Sequence, residues 1–309
     1  MQSMTAFVIP SVHDQTIALA HVAVPGIAAD ELLVEVKAVG VGIHDSYFLP
    51  RELSYPYPIG IEAAGVVAQV GSSVSGYVPG DRIVFISAMQ SKGGVWAQYA
   101  AVRSDSLILP IPEGMSFEQA AAVPVAGNTT LRALHTLSAI DKGGSIFVAG
   151  ASGAIGTFAL QLARARGWQV AASASPRNHD YLRSLGAAVT VDYHDAGWPE
   201  QVRQWRPDGV DGALAVQPQT TADSVRVVKD GGTVVTISGD QVPPTRGVRI
   251  TGLDYQCDVH GELLALMGNI VAGRIELVIE QIYPFTDALS ALAKVQTRRA
   301  RGKVVLSLT

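Results

Sequence analysis

Residues 146–156, with the sequence IFVAGASGAIG, restrict the possible folds more than any other segment of the chain. An apolar run typical of a buried strand leads directly into a loop of glycine, alanine and serine. The next segment, GTFALQLARARG, has the apolar spacing of a helix. Backbone N–H groups at the start of such a helix can bind a pyrophosphate, because the helix dipole favours an anion there. The segment therefore predicts a βαβ unit that holds a dinucleotide, although a glycine-rich turn also arises for packing reasons alone.

The chain around this unit has two kinds of pattern. From about residue 116, helical stretches alternate with six strand-like runs: SIFVAG, WQVAASA, AAVTVDY, VDGALAV, GTVVTIS and GVRITGL. Six such strands predict a doubly wound, six-stranded parallel sheet. Short β-like runs separated by turn residues come earlier, and the tail returns to mixed character. We expect an α/β protein with a β-rich, barrel-like domain at 1–115 and 261–309 and a nucleotide domain at 116–260.

Composition limits the classes of partner. The net charge is −4 with scattered Lys and Arg, so a basic surface for nucleic acid is not expected. No apolar run reaches the roughly 18 residues of a membrane helix, and the first residues do not resemble a signal peptide. The single cysteine, Cys257, fits a reducing compartment. We therefore expect a cytoplasmic protein whose partner is a small molecule.

The end of the second predicted strand indicates which dinucleotide binds. NAD sites usually carry an acidic residue there that binds the ribose hydroxyls, but this chain has AASASPRNHD, with no acid before Asp180. The hydroxyls of Ser173 and Ser175 and the guanidinium of Arg177 would accept a 2′-phosphate that a carboxylate would repel. NADP(H) is the predicted cofactor. The alternative is that Arg177 is only a solvated residue at the start of the next helix.

Several segments together resemble one known family. They are YPYPIGIEAAGVVAQVGSSVSGYVPGDRIVF, AAAVPVAGNTTLRAL, LRSLGA and the closing RGKVVLSL. With the glycine loop, they resemble the medium-chain dehydrogenase/reductase superfamily, especially its zinc-free quinone oxidoreductase (zeta-crystallin-like) branch. The resemblance implies a GroES-like domain beside a Rossmann domain. It also implies a homodimer formed through the last strand of the nucleotide domain, around residues 247–253.

The residues that bind zinc in alcohol dehydrogenases of this superfamily are missing. The matching positions are Gly42 and Ile61, and neither side chain can bind a metal. Glu62 remains, and the cysteine-rich lobe for a structural zinc is absent from the sequence. We expect no metal. Without a Lewis acid, quinones and conjugated enones are easier hydride acceptors than isolated ketones, because hydride addition to them gives a delocalised phenolate or enolate.

The family motif Asn-x-x-Asp-x-Tyr, on the first active-site helix, becomes GIHDSY at residues 42–47. Tyr47 is a candidate proton or hydrogen-bond donor to the oxyanion, although packing between domains is an equal alternative. Asp45, the second catalytic candidate, also fits hydrogen bonding to its own loop. His44 is a further possible donor, with a solvated residue as the simpler interpretation.

The resemblance implies further cofactor contacts. Thr129 would approach the nicotinamide, with a helix N-cap as the alternative. Tyr193 would lie near the adenosine phosphate, and Asn178 replaces the usual Lys there. Lys303 would reach back to the cofactor, or be a solvated strand end. The complete set of predicted cofactor-binding residues is Thr129, Ala151, Ser152, Gly153, Ala154, Ile155, Gly156, Ser173, Ser175, Arg177, Tyr193, Gln217, Ser238, Gly239 and Lys303.

The sequence therefore predicts an NADPH-dependent oxidoreductase that reduces quinones or α,β-unsaturated carbonyls by direct hydride transfer. An enoyl-thioester reductase of the same superfamily is one alternative. A non-enzymatic NADPH-binding sensor or RNA-associated protein is another, although the absence of a basic stripe argues against RNA.

Overall fold

The computed structural model describes residues 2–87 and 90–308 and divides the chain into two units. The first unit comprises Met1–Val125 and Leu264–Thr309, and the second comprises Ala126–Leu263. The first boundary lies after Val125, whereas we expected it after residue 115. A short helix, α1, Phe117–Ala121, explains the difference: Ala120 and Ala121 are buried, and the carboxylate of Glu118 accepts a hydrogen bond from Ser307 of the first unit.

The first unit contains two sheets. Its strands are β1 Ser3–Ile9, β2 Ala18–Ala23, β3 Glu31–Val41, β4 Tyr57–Pro58, β5 Glu62–Val70, β6 Arg82–Ile86, β7 Tyr99–Arg103, β8 Ile108–Pro110, β15 Ile279–Pro284 and β16 Lys303–Ser307. A three-stranded sheet has the order β2-β1-β4. The larger sheet has the order β15-β16-β3-β5-β6-β8, with β7 also paired to β3. Helix α8, Ala288–Gln296, connects β15 to β16 and buries Ala288, Ala291 and Leu292.

The core of this unit explains why the short strands hold together. Alternate residues of β3, β5 and β6 point inward and pack with Phe7, Ile59 and Trp96. These three side chains are at most 2% exposed. Burial of apolar surface is the dominant stabilising term, at about 25 cal/mol per Å². Trp96 lies at the centre of this core, next to the turn that carries the predicted catalytic residues.

The second unit is built on the six-stranded parallel sheet that the sequence predicts. Its strands are β9 Ser145–Ala149, β10 Gln169–Ser173, β11 Val189–Val191, β12 Val210–Ala215, β13 Val228–Thr236 and β14 Arg249–Thr251. The order is β11-β10-β9-β12-β13-β14, and every pair is parallel. This is the doubly wound arrangement, in which ligands bind at the carboxyl ends of the strands.

Helices connect these strands. They are α3 Ala154–Ala165, α4 His179–Ser184, α5 Trp198–Trp205 and α6 Thr221–Val227, while α2 Pro124–Thr136 precedes β9 and α7 His260–Val271 follows β14. Phe147 and Trp198 stack at 4.9 Å within the core of this unit. Among the helices of the described residues, none is both long and apolar enough to cross a membrane.

Candidate functional site

The glycine loop lies between β9 and α3, as predicted. Gly150 has φ +80, which only glycine adopts without strain, and the helix begins at Ala154 with Gly153 as its N-cap. A Cβ on Gly156 would lie 2.5 Å from backbone atoms of Ala151. Glycine is therefore required at position 156 for the close approach of helix and loop.

The first turn of α3 fits an anion. Gly153 has no side chain to cap the helix, so its first N–H groups, among them those of Ala154 and Ile155, have no capping side chain. A Cβ on Gly153 would meet the carbonyl oxygen of Gly150 at 3.6 Å, so the start of the helix has room for a small added group at this position. A pyrophosphate at this position would receive backbone N–H groups and the positive end of the helix dipole. Ala151, Ser152 and Gly156 complete this loop.

The residues predicted to select the 2′-phosphate lie together at the end of β10. The Ser175 hydroxyl is 3.3 Å from the Tyr193 hydroxyl, which extends from the end of β11. Arg177 is exposed on the connection to α4, whereas Asn178 is buried. Ser173 is also buried, and its carbonyl oxygen accepts a hydrogen bond from the N–H of Ala151 at 3.2 Å. Two hydroxyls therefore lie together, with Arg177 exposed two residues after Ser175, and Ser173 connects the strand to the glycine loop.

Other predicted cofactor residues lie at the same edge of the sheet. Gln217 follows β12, and a Cβ on Gly150 would lie 2.7 Å from its Cγ atom, so the Gln217 side chain covers the start of the glycine loop. Ser238 and Gly239 follow β13, where the Ser238 hydroxyl lies 3.4 Å from that of Thr236. The stretch around Gln217 therefore lies beside the glycine loop.

Helix α2 carries two adjacent threonines, Thr129 and Thr130, and only Thr129 was a predicted cofactor contact. Thr129 is half-buried in mid-helix, so the alternative that it is an N-cap is wrong. Thr130 is fully buried, and its hydroxyl donates to the carbonyl oxygen of Ala126 at 2.8 Å and to that of Ile155 at 3.2 Å. Thr130 thus ties α2 to the glycine loop. The doublet in AGNTT does not by itself show which threonine points inward.

In the first unit, residues 42–47 form a turn where the resemblance predicted a helix. The N–H groups of Tyr47 and Phe48 both donate to the carbonyl oxygen of His44, and no helix follows. Asp45 is 1% exposed, and its carboxylate accepts from the N–H of Gly42 at 2.9 Å and from Trp96 Nε1 at 3.1 Å. The predicted hydrogen bonding of Asp45 to its own loop is confirmed. The buried carboxylate of Asp45 therefore stabilises the turn.

Burial controls the charge of Asp45. Desolvation raises the pKa of Asp45 to about 7, and the negative charge of Glu62 adds to this, while the hydrogen bond from Gly42 and the positive charge of Lys303 oppose it. The space above Gly42 is open to a larger residue, since a Cβ there would lie 3.5 Å from the Asp45 carboxylate. The structure does not explain why glycine replaces the family's asparagine.

Glu62 and Lys303 form a buried ion pair next to this turn. The Glu62 carboxylate binds the Lys303 ammonium and accepts a hydrogen bond from the N–H of Val125 at 2.7 Å. Burial raises the pKa of Glu62, and Lys303 lowers it again. Lys303 is 6% exposed, so its alternative as a solvated strand end is wrong. Its contact with the cofactor stays a prediction.

Exposed aromatic rings lie on the surface of the same turn. Tyr47 is 57% exposed and Phe48 is 47% exposed, and the rings of His44 and Tyr47 lie 5.2 Å apart. Desolvation lowers the pKa of His44, and the positive charges of Arg298 and Lys303 act in the same direction. His44 is therefore neutral at neutral pH, and Tyr47 has an accessible phenol. Both can donate a hydrogen bond to an oxyanion.

The tyrosines of residues 55–57 differ from each other. Tyr57 is buried, its hydroxyl donates to the carbonyl oxygen of Gln90 at 2.7 Å, and burial raises its pKa to about 12. Tyr55 is partly exposed. Within residues 2–87 and 90–308, no group of three or more His, Cys, Asp or Glu side chains is arranged to hold a metal ion.

Two protein-family models match this chain. One, described as alcohol dehydrogenase GroES-like domain, matches residues 28–113. The other, described as zinc-binding dehydrogenase, matches residues 185–306. The two matches fall on the β-rich first unit and on a stretch that begins in the second unit and continues into the returning tail.

Curated relatives carry reductase names. Over 301 residues the chain is 31% identical to 2-methylene-furan-3-one reductase of Solanum lycopersicum, covering 93% of this chain and 74% of that protein. Over 301 residues it is 29% identical to the chloroplastic NADPH-dependent alkenal/one oxidoreductase of Arabidopsis thaliana, with the same coverage. Over 194 residues it is 37% identical to trans-enoyl reductase tazE of Aspergillus terreus, covering 56% of this chain and 63% of that protein.

A solved structure shares the whole fold. The quinone oxidoreductase from Coxiella burnetii superposes with a TM-score of 0.86 at 24% identity, covering 100% of both chains. Identity at this level shows the fold alone. The predicted pairing of a GroES-like domain with a six-stranded Rossmann sheet is confirmed.

Proposed function

Because this chain belongs to the medium-chain dehydrogenase/reductase superfamily, in its quinone oxidoreductase-like branch, we propose that it is an NADPH-dependent reductase of α,β-unsaturated carbonyls and quinones. Members of the superfamily are oxidoreductases that use nicotinamide cofactors. The proposal has three parts: NADPH is the cofactor, an enone or quinone is the substrate, and zinc is not required.

The observation that carries the cofactor assignment is the grouping at the ends of β9, β10 and β11. The uncapped start of α3 fits a pyrophosphate, and Ser175 with Tyr193 and the nearby Arg177 fits a 2′-phosphate. A bound NADPH would supply a hydride. The described residues supply N–H groups, two hydroxyls and a guanidinium, and no acid occupies the strand end where NAD sites carry one. The NADPH-dependent relative supports the same choice.

The substrate assignment rests on the turn of residues 42–47. Hydride addition to the β-carbon of an enone moves the π electrons onto the carbonyl oxygen, and the resulting enolate takes a proton at its α-carbon. The exposed phenol of Tyr47 can donate a hydrogen bond to that oxygen, with neutral His44 beside it. The exposed rings of Tyr47 and Phe48 offer apolar surface to a conjugated substrate.

Zinc is not required in this proposal. The two positions that match zinc ligands hold Gly42 and Ile61, and the carboxylate next to them, Glu62, is engaged by Lys303. A metal in this place would need ligands that these side chains do not offer. Delocalisation of the enolate and the donors of the turn would take over the charge stabilisation that a Lewis acid provides elsewhere.

An enoyl-thioester reductase is the second candidate, because the trans-enoyl reductase is 37% identical over its matched region. The reaction at the double bond is the same, and the two candidates differ in what is attached to the carbonyl. A cytoplasmic location and a homodimer stay predictions of the sequence.

The test is steady-state oxidation of NADPH and of NADH against quinones, enones, simple ketones and enoyl thioesters, with and without a chelator. We expect turnover of enones or quinones, a preference for NADPH and no effect of the chelator. Preferred turnover of thioesters would select the second candidate. Loss of activity with chelator would contradict the zinc-free proposal, and NADPH binding without turnover of any acceptor would indicate a sensor.

Tyr47→Phe separates catalysis by the phenol from packing by the ring. The change should lower kcat by about tenfold or more, as expected for loss of one hydrogen-bond donor to a developing oxyanion, while KM for NADPH stays the same. His44→Gln, which keeps a donor beside Tyr47, is the matched control with a smaller effect. An unchanged kcat in Tyr47→Phe would remove Tyr47 from the mechanism.

A further inference from the structure

The end of β11 carries a histidine that the cofactor assignment does not yet use. His194 follows Tyr193, and the two rings lie 4.0 Å apart with a tilt of 34°. Tyr193 in turn has its hydroxyl 3.3 Å from Ser175. The imidazole therefore lies next to the hydroxyl pair that fits the 2′-phosphate.

Asp192 fixes the orientation of this imidazole. His194 Nδ1 is 2.7 Å from Asp192 Oδ1, and the backbone N–H of His194 donates to the same oxygen at 3.1 Å. An ionised carboxylate only accepts hydrogen bonds, so Nδ1 carries the proton. Nε2 makes no hydrogen bond within the described part of the chain, and the side chain is 61% exposed. A proton on Nε2 would make this nitrogen a hydrogen-bond donor.

The carboxylate beside the ring carries a negative charge. The pKa of Asp192 lies below its ordinary value, so Asp192 is ionised. The largest cause is the hydrogen bond from the backbone N–H of His194. The hydrogen bond from the ring of His194 and the positive charges of His194 and His179 act in the same direction. His179 binds the carbonyl oxygen of Ala174 with Nε2. Arg177 is the other nearby cation.

Other acids of this region are engaged with other groups. Asp195 accepts hydrogen bonds from the N–H of Gly197 and from Gln201, and Asp180 pairs with Arg183. Asn178, at the position of the family's lysine, is buried and carries no charge. His194, three residues after β11, is thus the histidine beside the Ser175–Tyr193 hydroxyl pair.

We propose that His194 is a pH-dependent partner of the NADPH 2′-phosphate, so that its contribution to NADPH binding grows as the pH falls from about 8 to about 6. This inference rests on the proposed cofactor. Histidine is the side chain that normally gains its charge in this interval. Neutral His194 leaves the negative charge of Asp192 less compensated beside the phosphate, and protonated His194 compensates it and donates from Nε2.

The 2′-phosphate also changes its charge, since its second ionisation lies near pH 6. Raw affinity against pH therefore mixes two titrations. The ratio of affinities between wild type and a His194 variant removes the phosphate's own contribution, because both proteins meet the same ligand at each pH.

The experiment is calorimetric binding of 2′,5′-ADP and of 5′-AMP to the full chain at pH 6.0, 7.0 and 8.5. His194→Asn keeps a donor toward Asp192 but cannot become charged. It should weaken 2′,5′-ADP binding about two- to fivefold at pH 6.0, as expected for one exposed charge pair, and by less than about twofold at pH 8.5. Binding of 5′-AMP should not change. His194→Lys should restore binding at every pH.

Matched variants separate the possible failures. His21→Asn changes an exposed histidine on β2 of the first unit and should leave both affinities at the wild-type value. Equal affinity of the wild type for the two ligands would overturn the proposed NADP(H) assignment. A clear preference for 2′,5′-ADP that His194→Asn leaves unchanged at all three pH values would overturn the role of His194 alone.

Discussion

The two candidate regions of this protein are built on opposite principles. In the first unit, the turn of residues 42–47 rests on buried ionisable groups: Asp45 under the turn, and Glu62 paired with Lys303. In the second unit, the cofactor region uses backbone N–H groups, glycines and partly exposed polar side chains. Buried charges are sensitive to the loss of a partner, and a backbone site is sensitive to the addition of a single carbon atom.

The largest effect is expected from Lys303→Met in the first unit. Removing the ammonium leaves Glu62 as a buried carboxylate with only the N–H of Val125 as partner. We expect a loss of about 3 to 5 kcal/mol in the free energy of unfolding, measured by urea denaturation. The double variant Glu62→Gln with Lys303→Met should recover much of this loss.

The control for that prediction is Lys37→Met, which removes the cation of the partly exposed Glu35–Lys37 pair on β3. Exposed pairs contribute little, so the loss should stay below about 1 kcal/mol. Equal losses in the two variants would mean that the Glu62–Lys303 pair has no special weight, and the contrast between the two regions would fail.

The second prediction concerns pH and Asp45. Its pKa is about 7 in the folded protein against an ordinary value of 3.8, so the folded state holds a proton that the unfolded state releases. The free energy of unfolding therefore falls as the pH rises from about 4 to about 7. Above about pH 7, Asp45 causes no further loss. Asp45→Asn should remove this loss, which is at most about 4 kcal/mol because one unit of pKa corresponds to about 1.4 kcal/mol.

The measurement is urea denaturation of wild type and Asp45→Asn at pH 5 and pH 8. The amide oxygen of the variant can accept from Gly42 and Trp96, and the advantage of the variant over the wild type should be larger at pH 8 than at pH 5. If both proteins lose the same stability between pH 5 and pH 8, the loss belongs to other groups.

The smallest changes in stability are expected from two glycine variants in the second unit. Comparing them separates an effect on folding from an effect on NADPH binding. Gly156→Ala forces a Cβ to within 2.5 Å of the Ala151 backbone and should cost about 1 to 3 kcal/mol along with most of the NADPH affinity. Gly153→Ala meets only an ordinary contact at 3.6 Å. It should fold like the wild type and weaken NADPH binding, because the added methyl lies where the pyrophosphate approaches.

Thermal denaturation and NADPH fluorescence titration measure the two effects. Normal NADPH binding by Gly153→Ala would place the pyrophosphate away from the start of α3. Normal stability of Gly156→Ala would mean that the contact between helix and loop relaxes more easily than its geometry indicates.

The contrast also explains what the sequence could reveal. Glycine spacing and strand periodicity are local, so the six parallel strands, the loop of residues 150–156 and the returning tail were all predicted correctly. The buried contacts are not local. Trp96 donates to Asp45 across 51 residues, and Lys303 reaches Glu62 across 241. Local sequence patterns do not reveal pairs of residues so far apart in the chain.

The local sequence pattern was also insufficient where the same residues fitted two different structures. The expected helix at residues 42–47 is a turn, because Asp45 binds the N–H of Gly42 and draws the backbone around its own carboxylate. The N-cap alternative for Thr129 failed because α2 begins earlier, at Pro124. In both cases the residue is present as expected but lies in a different structural setting.

The most direct test of the proposed function is to follow the hydride itself. NADPH carrying deuterium at both C4 positions would be incubated with the protein and a small enone, and the product examined by mass spectrometry. The account predicts one deuterium at the β-carbon of the saturated ketone for each NADPH oxidised, with chelator present. Oxidised NADPH without labelled product, or label found at a carbinol carbon, would contradict reduction of the conjugated double bond.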